Sequence, residues 1–133
     1  MADILSSLFQ ASAETAGVTV RVAVAFLADQ SSPVAGRWFW SYHVRIENHR
    51  GAAVRLLARH WIIRDAHGDV HDVRGEGVVG EMPRIEPGQS FDYVSGCPLG
   101  TSSGQMAGEF HMANDDFSTF EIQIPAFDLL VPV

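Results

Sequence analysis

Lysine is missing from this chain. Its nine basic side chains are all arginine, and sixteen acids set against them leave a formal charge of -7. A field of that sign repels polyanions unless the arginines cluster, so direct nucleic-acid binding is not expected. Cysteine is nearly missing too. Cys97 stands alone, which excludes an internal disulfide and agrees with a reducing compartment; no base identifiable in the sequence would activate it as a nucleophile. No apolar run approaches the roughly 20 residues of a membrane-spanning helix, so a transport role for the chain by itself is excluded. The first residues lack the basic flank and unbroken apolar stretch of a signal peptide and carry Asp3 and Glu14 instead. The cytoplasm is the expected location.

Helical periodicity is absent from the interior as well, and alternation takes its place. Val18, Val20, Val22, Val24 and Phe26 alternate with smaller or polar residues, and Trp38, Trp40, Tyr42, Val44 and Ile46 alternate with Ser41, His43, Arg45 and Glu47. A period of two marks half-buried strands, and these two are expected to pair antiparallel. Val54 to Asp65 is rich in β-branched and aromatic residues with a less regular alternation, and a short strand over Val70 to Val73 returns from the Asp65–Gly68 turn. Ser90 to Ser95, Met106 to Met112 and Phe120 to Ile124 complete the pattern. Pro125 is expected to end the last of these, with Phe127, Leu129 and Val131 in an extended edge piece.

About seven to eight short strands without long helices predict an all-β chain, an immunoglobulin-like or fibronectin type III-like antiparallel sandwich, with a closed barrel as the alternative. The 133 residues suit one domain. It is expected over 17–133, preceded by an extension over 1–16 that is flexible or forms a short helical turn through Ile4, Leu5, Leu8 and Phe9. Trp38, Trp40, Tyr42 and Trp61 are expected in the core, with Phe39 facing outward; tryptophan and tyrosine can also anchor a partner.

Two features could carry function. The segment Arg74-Gly75-Glu-Gly77-Val78-Val79-Gly80 has a glycine triplet, but Pro83, Pro87 and Gly88 follow where a dinucleotide fold needs a helix. Its glycines can serve tight backbone packing, a nest of amides for a diphosphate arriving with magnesium, or a docking loop that presents Val78 and Val79. His67, Asp69 and His71, with Asp65 and Asp72 beside them, form the densest set of metal donors, suited to a divalent ion such as magnesium or cobalt. Their spacing matches no closed zinc site, and a solvated hairpin is the default. Nothing pairs a nucleophile with a base, so no catalytic residue is assigned and no enzyme is expected.

Arg59-x-Trp61, Gly75-x-Gly77-Val78-Val79-Gly80, Pro83, Pro87-Gly88, Phe91-x-Tyr93-x-Ser95-Gly96, Gly104-x-Met106-x-Gly108 and Ile124-Pro125-x-Phe127, taken in order, resemble the ApaG family over about Val18 to Leu129. Phe110 stands where that family often has tyrosine, and Asn114 to Phe117 is a shorter turn. The resemblance implies a fibronectin type III-like sandwich, no established catalytic activity, and a bacterial association with cobalt and magnesium tolerance. Its occurrence in an F-box substrate adaptor and in a protein that interacts with DNA polymerase delta implies a role in binding proteins. A protein partner or small ligand is therefore expected. Self-association through a sheet edge, giving a homodimer, is a further option.

Overall fold

A computed structural model describes residues 8–132. Among these residues, nine strands form two antiparallel sheets packed face to face. The first runs β1 (Ala11–Thr15), β2 (Val18–Phe26), β3 (Trp38–Asn48) and β7 (Ser90–Leu99), in that order. The second runs β5 (Val70–Glu76), β4 (Val54–Asp65), β8 (Gly104–Asn114) and β9 (Thr119–Leu129), and the two-residue β6 (Arg84–Ile85) pairs with β4. This is the sandwich that the alternation predicts.

The core is the inner face of each alternation. Trp40, Val44 and Ile46 from one sheet and Leu56, Phe110, Met112 and Ile122 from the other are essentially inaccessible. Burial of each contributes roughly 1.5–3 kcal/mol. Trp61 meets Tyr42 across the sheets at 5.2 Å between ring centroids and stands edge-on to Phe127 at 6.0 Å. Phe39, expected outward, lies on the outer face over Gly96, where a side chain would collide with its ring. Phe120 is half-buried beneath the Arg50 guanidinium, 4.6 Å from the ring centroid.

Two bulges explain why the alternation in two strands is uneven. In β4 the register against β8 shifts between Leu56 and Ala58. Val54 and Leu56 point inward before the shift, and Trp61 points inward after it, so the inner face passes from even to odd positions. In β9 the register shifts opposite Ala107: Gly108 faces Ile124 and Met106 faces Phe127. The strand therefore continues through Pro125 to Leu129, and the expectation that Pro125 ends it is corrected. Proline is tolerated because β9 is an edge strand and the bulge leaves its missing N–H without a ladder partner.

A boundary at the start of the domain also moves. The last part of the expected extension is strand: Ala11–Thr15 pairs with Val18–Val22 around Ala16 and Gly17, both at positive φ (52° and 83°). That two-residue turn has the twist of a tight hairpin. The first strand thus begins at Ala11 rather than after Gly17, and the helical turn expected from Ile4 onward falls largely outside the described residues. β1 docks beside β9, where the Gln123 amide donates to Thr15 Oγ1 at 3.1 Å. At the other end of β3, fully buried Asn48 donates from Nδ2 to the carbonyls of Ala52 and Ile85, both at 2.9 Å. One side chain thereby ties the loop after β3 to β6.

Candidate functional site

The first sheet ends at β7 and the second at β5, and the two edges leave a cleft of about 460 Å³ between the sheets. Tyr42, Trp61, Ile63, Leu99 and Met106 supply its apolar wall, and Arg59, Asp65, His71, Ser95 and Cys97 its polar groups. An apolar surface with a few polar groups, at this volume, is the usual form of a small-molecule site.

Arg59 faces the cleft because the β4 bulge reverses the parity of the strand. Its guanidinium lies flat over Gly75, where an added Cβ would stand 2.9 Å from Cζ. Nη1 donates to the carbonyls of Glu76 at 3.1 Å and Gly77 at 2.8 Å. Beside it, Trp61 is 2% exposed, and its indole N–H has no acceptor among the described residues. A buried donor left unpaired costs about 1–3 kcal/mol, so this one marks a position where an acceptor would be welcome.

Burial holds the Cys97 thiol and the Tyr42 hydroxyl of the cleft in their protonated, non-nucleophilic forms. Burial pushes the Cys97 thiol up to about 11. Burial also raises Tyr42, an effect partly offset by the Ser95 hydroxyl directly opposite it on β7. Also in the core, Tyr93 is raised by burial and by Tyr42, and its hydroxyl, like the Trp61 N–H, has no partner among the described residues.

The glycine segment divides in two. Arg74, Gly75 and Glu76 belong to β5, which extends past the expected end at Val73, and Gly77 to Glu81 form a closed turn. The Gly77 amide donates to Leu57 O at 2.7 Å, and Val78 and Glu81 exchange two backbone bonds at 2.8 and 2.9 Å. Gly77, Val79 and Gly80 all have positive φ (62°, 43° and 81°). At Gly77 any Cβ would also collide with the Glu81 carbonyl. Val78 is fully buried, while Val79 is exposed at the tip. Of the docking pair, therefore, only Val79 is presented, and the amides of Gly77, Val78 and Glu81 are already bonded within the protein. Arg74 lies on the outer face of β5, away from Arg59.

His67, Asp69 and His71 lie on an exposed hairpin. Asp65 organises it: its Oδ1 accepts the amides of His67 at 2.9 Å and Asp69 at 3.1 Å, and its Oδ2 stands 4.0 Å from His71 Nε2. The three do not gather into one ligand set. Among the described residues the group that does is Glu109, His111 and Glu121 on the outer face of β8 and β9, with ligand atoms within 4.8 Å of one another. Cross-strand register brings it together, since His111 is paired with Glu121 and lies two residues from Glu109. His60 bridges Glu109 at 3.3 Å and Asp72 at 3.2 Å, and its hydrogen bond leads the groups that hold the Glu109 carboxyl below its ordinary range. The sequence signal for this group was alternation in two neighbouring strands; for the cleft it was Arg59-x-Trp61, whose direction only the bulge decides.

The family model for the ApaG domain matches residues 28–114, which include Arg59, Trp61 and the whole glycine segment. The chain belongs to the ApaG family. It is 50% identical over 121 residues to Protein ApaG of Brucella canis, covering 91% of this chain and 93% of that one. Among solved structures, a protein from Bordetella pertussis described as ApaA is 40% identical and superimposes with a TM-score of 0.84, covering 86% of this chain and 94% of that one. The C-terminal domain of Wzt, at 10% identity, has a TM-score of 0.53 over 100% of this chain and 87% of that domain, a likeness of fold alone. No helix among the described residues is long and apolar enough to cross a membrane.

Proposed function

We propose that this ApaG-family chain is a non-catalytic binding module of the cytoplasm, and that the cleft between its sheets receives the ligand. The observation that carries this reading is the Trp61 indole N–H, buried without an acceptor in the wall of a cleft beside the Arg59 guanidinium. The occupant is a small, largely apolar molecule, or the tip of a partner protein's side chain, bearing one hydrogen-bond acceptor. Arg59 is held by Glu76 and Gly77, so it meets the ligand already oriented, which lowers the ordering cost of binding. The raised Cys97 thiol supports binding over covalent chemistry.

Magnesium-nucleotide binding at Gly75–Gly80 is the weaker reading, because the Gly77 and Val78 amides that such a nest would use are bonded to backbone carbonyls. Any link to cobalt or magnesium homeostasis would have its physical handle in Glu109, His111 and Glu121 rather than on the hairpin.

The indole N–H signals of the three tryptophans test the cleft directly. In nitrogen-15 spectra, fragments that bear an acceptor should move the Trp61 indole signal, identified by its loss in Trp61→Phe, together with the backbone signals of Cys97 and Leu99. A fragment library that shifts other parts of the protein and leaves these in place would sink the proposal.

A further inference from the structure

The edge strand β5 differs from the other edges of the sandwich. β7 carries Pro98, β9 carries Pro125 and a bulge, and β1 is five residues long. Such features blunt an edge against pairing with another chain. β5 has seven residues, no proline and an unbroken register against β4. Its side chains are exposed on both faces, Val70 and Val73 included, apart from Gly75, which is half-covered.

Its backbone groups can be assigned. Asp65 donates to the carbonyl of Asp69 at one end of the β4–β5 ladder, and Gly77 donates to that of Leu57 at the other. Hydrogen-bonded and non-hydrogen-bonded pairs alternate along an antiparallel ladder. His71, Val73 and Gly75 therefore bond to β4, while the N–H and C=O groups of Val70, Asp72 and Arg74 and the N–H of Glu76 point out of the sheet edge; the Glu76 carbonyl already accepts from Arg59 Nη1 at 3.1 Å and has one lone pair left for a second donor.

We propose that β5 pairs antiparallel with β5 of a second copy of this chain, about a two-fold axis through Val73, to form a dimer with a continuous sheet. In this register every outward-pointing residue meets another: Asp72 lies opposite Arg74 of the second copy, and Val70 opposite its Glu76. The two-fold axis repeats each pair. Asp72 and Arg74 share the outer face, where opposite charges across a hydrogen-bonded pair stabilise the sheet and like charges oppose it. Arg74 makes no side-chain hydrogen bond or ion pair among the described residues, and Asp72 engages His60 through Oδ1 alone. Moving the axis one residue places Asp72 against itself or Arg74 against itself; moving it two residues shortens the paired segment. The charge pattern of the strand thus selects one register. This interface rests on the backbone edge and the outer face, and so stands independently of the cleft reading.

Sedimentation equilibrium of the full chain tests it. Wild type should reach a monomer–dimer equilibrium, and Asp72→Arg or Arg74→Asp alone should weaken it by about tenfold or more. An equimolar mixture of these two variants should restore association, because Arg at 72 then faces Asp at 74 in one pair and Arg74 faces Asp72 in the other. Thermal unfolding checks that each variant is folded. If Asp72→Arg fails through loss of its His60 contact, Arg74→Lys, which should still associate, compared with Arg74→Asp carries the same contrast. Wild type that stays monomeric up to millimolar concentration, leaving the edge for a strand of some other protein, overturns the proposal. So does association that neither variant weakens, or a mixture that associates no better than its parts.

Discussion

The two outer strands of the second sheet, β5 and β9, bound the same layer and have opposite surroundings. β9 alternates buried Ile122, Ile124, Phe127 and Leu129 with exposed residues, and β1 and β2 of the facing sheet lie across it. β5 has its principal packing with β4 alone, and nearly all of it is exposed. The facing sheet ends at β7 before it reaches over β5, and that offset opens the cleft on the inner side and leaves a free edge at the rim. An edge that is covered becomes core; an edge that is not keeps its side chains and half of its backbone groups in solvent.

A pair of truncations separates the two strands most strongly. Ile122→Ala on β9 should cost about 2–5 kcal/mol, as for a fully buried aliphatic side chain. Val73→Ala on β5, measured at a dilution where the chain is monomeric, should stay within about 0.5 kcal/mol, as for a surface position. Urea unfolding of the two variants measures both; equal losses would mean that β5 is packed as tightly as β9.

Gly77→Ala tests the junction where β5 leaves the sheet. The positive φ and the collision with Glu81 predict a loss of about 1–3 kcal/mol, unchanged by excess magnesium-ATP. A wild-type melting temperature that rises with magnesium-ATP while that of Arg74→Ala does not would return the segment to phosphate binding.

A smaller effect separates the first sheet from this rim. Buried Glu47 accepts from Arg45 at 2.9 Å and Arg21 at 3.1 Å. Burial alone would raise its carboxyl, but these two arginines outweigh that and hold it below the ordinary 4.5. The resulting stability is fully present above that ordinary value and is lost as the pH falls through the lowered folded value. Glu47→Gln should therefore flatten the acid limb of the stability–pH curve, whereas an unchanged limb would show that the arginines do not favour the charged form. The smallest effect belongs to the hairpin before β5. In calorimetric titration with cobalt, the double change His67→Ala and His71→Ala should leave any heat of binding unaltered, and His111→Ala should remove it.

Much of the fold is legible because alternation is local. Each of Val18–Phe26, Trp38–Asn48 and Met106–Met112 shows its buried face in its own letters, and the turns at Gly68 and Gly88 are announced by residues that tolerate positive φ. β1 escaped because Ala11 and Ala13 bury too little to stand out, and the continuation of β9 escaped because the bulge at Pro125 breaks the period. The candidate site was less legible. Arg59 was visible only through the family resemblance and Trp61 otherwise only as a core aromatic, and His67, Asp69 and His71 are close in sequence without converging on one another in space.

The sequence by itself determined the class of fold, the members of most strands, the family, and the absence of a long apolar helix, all properties carried by neighbouring residues or by an ordered motif. Tertiary structure decided which way Arg59 faces, which amides of the glycine segment are already bonded, that His111 meets Glu109 and Glu121, and that β5 remains uncovered. The reason is physical: one extra residue in a bulge exchanges the two faces of a strand, and the offset between two sheets depends on where both of them end.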